Sequence, residues 1–261
     1  MRGGVRMAKD ITVGASSPLR QGGYIARVAA GTADIRAAQA LRHMCFVEAA
    51  GRPPLSGGFD ADGFDDVCTH VLIEDAQGHV KCTFRAQVFE TPDTLAQSYS
   101  AQTYDLSALR GGPFLELGRF CVSDDVDDGD VVRLAWGMVA RLVDWTGAET
   151  LFGCSSFPGL NPAPYTQAFD LLAASHVTDQ IGRIAPDIHP FAAQARPVTD
   201  RKAALAQLPP LLRSYLGMGG WVSDHAVIDA QMQTLHVFTG LRIADIPPAR
   251  AAALRAVANL G

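Results

Sequence analysis

Apolar positions recur along this chain in two rhythms, one helical and one strand-like. Between Thr32 and Gly51, residues Ile35, Ala38, Leu41 and Cys45 fall three or four apart, which is the spacing of one buried helical face. They predict a helix over about 33–49, with Thr32 as N-cap and Gly51 near its end. Arg42 and Phe46, at i and i+4, extend that buried face rather than the solvent side. Tyr24–Val28 reads as a first strand. Thr69–Ile73 and His79–Val88 read as a hairpin about the turn Asp75-Ala-Gln-Gly78, with Arg85 interrupting its second strand. An irregular stretch, 92–112, leads to the apolar run Phe114–Val122. A mostly buried helix follows from Val131 to about Thr146, then a strand of small residues, Leu151–Phe157, that would let a backbone or ligand approach closely. Helices are expected from Tyr165 to Ala174 and near Lys202–Leu216, the second interrupted by Pro209-Pro210. A last strand is expected over Thr234–Leu241. Residues 247–260 form an Ala-rich amphipathic helix with Leu254, Val257 and Leu260 on one side. The order of elements is that of an α/β or α+β domain over 21–261, preceded by a flexible tail over 1–20.

Charges inside apolar runs are the informative exceptions. In Phe114-Leu-Glu-Leu-Gly-Arg-Phe-Cys-Val122, Glu116 and Arg119 stand three residues apart around Gly118. A regular strand would point them to opposite faces, and a bulge at the glycine would bring them to one wall. Burying either charge alone costs several kcal/mol, so each must find a partner, water or a ligand. The loop 51–66 interleaves Asp60, Asp62, Asp65 and Asp66 with Phe59 and Phe64. A solvated acidic turn accounts for the aspartates. A flap over a cleft accounts for the phenylalanines as well.

Bulk properties narrow the field. With 261 residues, 48% hydrophobic and 19% charged, the chain can bury a substantial core. Its net charge of −5 and its lack of a basic tract argue against nucleic acid as a partner. Five cysteines without CxxC spacing, and seven histidines in no HxxxH or HExxH pattern, predict reduced thiols and no metal centre. No apolar run reaches the roughly 18 residues of a membrane span, and residues 1–20 lack the apolar core of a secretory signal, so a cytoplasmic protein is expected.

The succession of strand 114–122, helix 131–146 and strand 151–157 resembles the GCN5-related acyltransferase fold. That resemblance implies a single domain with a central mixed sheet flanked by helices, in which two strands splay and admit the pantetheine arm of an acyl donor. Arg42-x-x-x-Phe46, Asp62-x-x-Asp65, Arg85 and Glu116-x-x-Arg119-Phe120 resemble in order and spacing the charged signature of acyl-homoserine-lactone synthases. Ile35–Arg42, Asp65–His70, Leu115–Arg119, Leu151–Phe157, Leu208–Tyr215 and Gly219–Val222 are similar to bacterial ornithine–acyl-carrier-protein N-acyltransferases, the first enzymes of ornithine-lipid synthesis. The likeness covers about residues 24–241. One departure stands out: Leu235-His236 occupies a place where that family usually has an acidic residue before Val-Phe.

The resemblance implies transfer of a 3-hydroxy fatty acyl group from acyl carrier protein to the α-amine of ornithine, with no bound cofactor. It implies Glu116 and Arg119 as catalytic residues and Arg42, Phe46, Asp62, Asp65 and Arg85 as substrate-binding residues. Phe120, Val122, Phe152, Cys154 and Ser155 would line the acyl and pantetheine channel. Glu116 would act as a base through water, bind the acceptor's ammonium groups, or pair with Arg119 as a staple of the fold. The arginines would neutralise the aspartates or bind the acceptor's carboxylate. The sequence offers no Ser–His–Asp or Cys–His set, so direct transfer is expected and Cys154 reads as packing. The donor also has a physical argument. Ser123-Asp-Asp-Val-Asp-Asp-Gly-Asp130 has one glycine and five aspartates where a coenzyme A pyrophosphate would need free N–H groups, which favours a protein-borne phosphopantetheine. An acidic carrier protein would need basic residues to land on, and Arg133, Arg141, Arg183, Arg201, Lys202 and Arg213 are available. Competing readings are the same chemistry on glutamine or lysine, an acyl-homoserine-lactone synthase using S-adenosylmethionine, and a non-catalytic lipid or carrier-protein binder. The C-terminal helix would pack on the sheet or make peripheral contact with a membrane.

Overall fold

A computed structural model describes residues 17–260. Most of the expected tail, residues 1–16, lies outside the described residues. Along the chain run β1 (Leu19–Gln21), β2 (Tyr24–Val28), α1 (Thr32–His43), β3 (Thr69–Glu74), β4 (Val80–Phe89), β5 (Tyr104–Asp105) and β6 (Phe114–Val122). They are followed by α2 (Gly129–Thr146), β7 (Thr150–Pro158), α3 (Thr166–Ser175), β8 (Gly182–Arg183), β9 (Ile188–His189), α4 (Arg201–Gln207) and α5 (Pro210–Leu216). The chain ends with β10 (Trp221–Val222), β11 (Ala226–Asp229), β12 (Thr234–Arg242) and α6 (Pro248–Ala258). The described residues divide into two compact units: 17–90, 119–148 and 252–260 form the first, and 91–118 and 149–251 the second.

In the first unit, β1, β2, β3 and β4 pair in sequence as an antiparallel meander. α1 packs on β3 and β4, and α2 packs on β1 through β4. Both faces of the hairpin are covered: consecutive residues Val71, Leu72 and Ile73 are buried, as are Cys82 and Phe84. The helix expected over 33–49 changes character part-way. Its regular part ends at His43, and Met44–Glu48 continues as a π-helical turn. Insertions of this kind recur at functional sites, because the wider turn re-aims the side chains on it. α2 starts at Asp128, whose carboxylate accepts from the Asp130 N–H, and stops at Gly147 in the left-handed conformation. The end of α6 belongs to this unit. Val257 lies over Gly137, where an added Cβ would come within 2.6 Å of it, and Arg141 donates to the Ala258 carbonyl. Leu254, Val257 and Leu260 are the half-buried side, as their spacing predicts.

In the second unit β6 and β7 run parallel, and β7, β12, β11 and β9 follow in antiparallel order. The parallel ladder begins at Phe114↔Thr150 and its last pair is Leu117↔Gly153, although β7 stays paired with β12 as far as Pro158. The small residues expected in β7 have a direct use here. A Cβ on Gly153 would sit 2.3 Å from the Leu117 carbonyl oxygen, so only glycine permits this approach of the two backbones. The core of this unit gathers Phe157, Phe169, Phe191, Leu172, Leu212 and Val237. Short strands β5, β8, β9 and β11 carry too few residues to show a period, and the sequence reading passes over them.

Candidate active site

The first unit holds a buried network of three arginines and three aspartates. Arg42, on the inner face of α1, is 1% exposed. Its Nη1 and Nη2 donate to the two oxygens of Asp65 at 2.8 and 2.7 Å, while Nε and Nη2 reach the Asp60 carbonyl. Nε also lies 3.0 Å from the Asp60 carboxylate. Arg85, from the middle of β4, takes Asp62 bidentately at 2.6 and 2.9 Å and donates to Asp65 at 2.7 Å. Arg119 donates to Asp60 at 3.1 Å and to Asp62 at 3.0 Å. The loop that carries the acids is held by its own turn as well. Asp62 caps the short 3₁₀ turn Gly63–Asp66, accepting from the Phe64 N–H, and Asp65 accepts from the Asp62 N–H. The solvated acidic turn is therefore ruled out, and the Phe64 ring lies under the Arg85 guanidinium at 5.4 Å.

Three full positive charges meet three negative ones, so the network is balanced within itself. Burial alone would raise the Asp65 carboxyl. Hydrogen bonds from Arg42 and Gln39, with the nearby Arg42 and Arg85 charges, outweigh it and hold the group well below the usual carboxylate range. Asp62 is lowered in the same way, with burial opposing and Arg85 and Arg119 prevailing. Arg42 and Asp65, expected to bind substrate, lie in the interior of this unit. Both are interior groups whose hydrogen-bonding directions are spent on each other, on Gln39 and on Arg85. Asp62 and Arg119 keep 25% and 12% of their side chains exposed and are the members of the network a ligand can reach. Phe46 is half-buried on the π-helical turn after Arg42, where its carbonyl accepts from Arg52.

The left-handed conformation in β6 falls not on Gly118, where a bulge was expected, but on the next residue. Arg119 itself adopts φ 52°, the left-handed region, which costs a non-glycine residue roughly 1–2 kcal/mol. Its ion pairs with Asp60 and Asp62 help to hold it there. Strain of this kind persists only where surrounding contacts enforce it, and it gathers at functional sites.

Glu116 lies on β6 in the second unit and is 5% exposed. Oε1 accepts from the Ser100 N–H at 2.8 Å and the Ser100 hydroxyl at 2.6 Å, and Oε2 accepts from the Tyr99 N–H at 3.0 Å. Ser100 Oγ also lies 3.5 Å from Cys154 Sγ on β7. Tyr215, from α5, is buried nearby, its phenol pushed up by burial and by Cys154 and Glu116. Among the expected channel residues, Phe152 is fully buried and stacks on Phe238 at 5.7 Å, and Ser155 accepts from Thr239 at 3.0 Å. Both side chains lie in the interior of the unit. Phe120 is half-buried and stacks on Phe84 at 5.6 Å; Val122 is half-buried and its carbonyl accepts from Cys45 at 3.4 Å.

Sequence reasoning missed Gln39, Asp60, Tyr99 and Ser100. Asp60 was visible in the acidic loop, but nothing distinguished it from Asp66. Ser100 sits in the irregular stretch, where no periodicity points to it. The departure at His236 is also explained locally. This residue is buried, contacts the Tyr104 hydroxyl through Nδ1 at 3.1 Å, and is pushed down to about 4 by burial. It is neutral at physiological pH and replaces a charge with a neutral interior hydrogen bond. Among the described residues no cluster of histidine, cysteine and carboxylate is arranged to hold a metal ion, and no helix is long and apolar enough to cross a membrane. Three of the six landing residues are engaged: Arg133 with Asp130, Arg183 with Asp224, and Arg141 with the Ala258 carbonyl.

A mixed sheet with a parallel β6/β7 pair that stops part-way, and α2 between them in sequence, defines an acyltransferase fold. Residues 41–137 match the family profile of the acetyltransferase (GNAT) domain. Over 238 residues the chain is 32% identical to the L-ornithine N(alpha)-acyltransferase of Rhodobacter capsulatus, covering 85% of this chain and 90% of that protein. It is 32% identical to the proteins of the same name from Rhizobium meliloti, over 84% of this chain and 80% of the relative, and Brucella abortus, over 87% of each. The chain belongs to the L-ornithine N(alpha)-acyltransferase family. Solved structures similar to it include TofI in an apo form (17% identity, TM-score 0.48, 90% of this chain and 98% of that one). Another is FeeM, an N-acyl amino acid synthase from uncultured soil microbes (12% identity, TM-score 0.46, 87% of this chain and 93% of that one).

Proposed function

We propose that this chain is an L-ornithine N-α-acyltransferase that moves a 3-hydroxy fatty acyl group from acyl carrier protein to the α-amine of ornithine, giving lyso-ornithine lipid. Family membership supports the acceptor and the amide bond made. The observation that carries the site reading is Glu116, a buried carboxylate with donors on both oxygens. An amino-acid ammonium is costly to strip of water unless an opposite charge awaits it, and a fixed anion provides that charge. With an α-amine pKa near ~8, an appreciable fraction is already neutral at neutral pH. The amine nitrogen attacks the thioester carbonyl carbon, the C–N bond forms and the C–S bond breaks. Of the two protons the ammonium loses, one passes to solvent and the other ends on the departing thiol.

The acidic loop before α2 supports a carrier-borne donor. Asp128 caps the helix, Asp125 pairs with Lys81 at 2.6 Å, and Asp130 takes Gln21 and Arg133. One N–H of the helix N-terminus that would cradle a pyrophosphate is thus already taken by the Asp128 carboxylate, with further carboxylates beside it. The reaction belongs in the cytoplasm, with peripheral contact at the inner membrane face where an amphiphilic product is delivered.

The test is to incubate the purified chain with 3-hydroxyacyl carrier protein and single amino acids, reading products by mass. Acylated ornithine is the expected product. Transfer to lysine or glutamine instead would move the acceptor, turnover of S-adenosylmethionine would favour a lactone synthase, and no transfer to any of them would overturn the proposal.

A further inference from the structure

Ser100 is fully buried, and a buried hydroxyl is costly unless bonded. It makes two hydrogen bonds to one oxygen of Glu116, through its backbone N–H and its Oγ, while its predecessor Tyr99 takes the other oxygen. A serine hydroxyl has a single hydrogen. With Glu116 Oε1 at 2.6 Å that hydrogen is committed, so the contact with Cys154 Sγ at 3.5 Å runs the other way, with the thiol donating. Cys154, Ser100 and Glu116 thus form a directed chain ending on the carboxylate. The chain also fixes the plane of the carboxylate, because two donors on one oxygen and one on the other leave no free rotation.

We propose that Ser100 is a positioning residue that clamps Glu116 as an oriented anion for the acceptor's ammonium, and that Glu116 serves this reaction as an amine receptor rather than as its base. The inference rests on the ornithine reading above for the identity of the amine, but the clamp itself does not. A base has to turn toward the proton it removes, whereas donors from one short turn already fix both oxygens of Glu116. A receptor needs charge and direction, which are what Ser100 supplies. The positioning residue comes from a 3₁₀ turn, Ser100–Gln102, with no periodic signature, and its backbone N–H contributes whatever side chain stands there. The hydroxyl is the part a substitution can remove.

The experiment uses Ser100→Ala and Ser100→Thr in the full chain, with two readouts. In steady-state kinetics Ser100→Ala should raise KM for ornithine about tenfold, the loss expected for one charge-assisted hydrogen bond, and leave KM for the acyl carrier protein unchanged. Ser100→Thr, which keeps the hydroxyl, should recover most of the loss. The second readout is independent of turnover. The infrared difference between wild type and Glu116→Gln isolates the Glu116 carboxylate bands, which should show an ionised, hydrogen-bonded group that shifts in Ser100→Ala. An unmoved band together with an unchanged ornithine KM would overturn the inference. So would an equal rise in both KM values that threonine does not repair. A shifted band in a protein that never acylates ornithine would uphold the clamp and reject the acceptor.

Discussion

Arg42 grips Asp65 with both ends of its guanidinium, at 2.8 and 2.7 Å, and neither side chain is more than 5% exposed. Planarity makes this possible, because the two N–H groups match the two carboxylate oxygens. Lysine offers a point charge in place of a fork. Arg42→Lys should therefore leave part of Asp65 buried without its donor and destabilise the first unit by about 3–5 kcal/mol. Urea unfolding measures it; a loss under about 1 kcal/mol would show that the pair contributes little.

Acid should act on the fold in two separable windows. His236 is held down to about 4 by burial, against about 6.5 when unfolded, so the unfolded chain binds its proton first. Its contribution is complete above about pH 6.5 and is lost as pH falls toward about 4, amounting to about 3 kcal/mol across that span. His236→Gln should flatten part of this slope. Asp65 has the carboxylate sign. Its contribution is present above the unfolded value near about 4 and declines only at lower pH, as the folded-state group is forced to protonate. Stability curves for wild type, His236→Gln and Asp65→Asn between pH 8 and 3 should separate the two; parallel curves would reject the assignment.

The contrast between these residues shows what a sequence can reveal. Arg42 and Arg85 were conspicuous as charges on apolar faces, and burial of a charge forces a partner, so the acidic loop could be matched to them before any coordinates. Their role was less legible. Whether an arginine binds a ligand or another part of the chain depends on distances that spacing does not encode, and here Arg42 turns inward to Asp60 and Asp65. The long elements were readable because β3, β4 and β12 are runs of six to ten residues, mostly buried and rich in strand formers. Ser100 was not readable, because a serine in an irregular stretch looks like any other and its partner lies 16 residues further along the chain.

Cys154 offers a check on direct transfer. Its sulfur lies 3.5 Å from Ser100 Oγ, and the thiol is the donor in that contact, whereas a nucleophilic cysteine gives its proton to a general base. Cys154→Ala should lower kcat less than threefold or so, since a thiol hydrogen bond is weak, and Cys154→Ser should restore it. Intact-protein mass spectrometry during turnover should show no acyl adduct. Loss of activity in both variants, with an adduct on the wild-type chain, would replace direct transfer by an acyl-enzyme.

Gly153 tests the point where the parallel ladder ends. Its Cα is paired with Leu117, and an added Cβ would lie 2.3 Å from the Leu117 carbonyl oxygen, far inside any van der Waals contact. Backbone is not a side chain that can swing aside, so Gly153→Ala must push β6 and β7 apart over the residues next to Glu116 and Cys154. Overpacking of this kind costs about 1–3 kcal/mol. Gly129→Ala is the matched control: it opens α2, meets nothing within 4 Å, and should be neutral or slightly stabilising. Because the strain falls on the strand that carries Glu116, Gly153→Ala should lower kcat/KM by more than its stability loss accounts for at a temperature where the chain stays folded. A fully folded Gly153→Ala protein with wild-type kcat/KM would show that the strand spacing at this pair does not matter to the reaction.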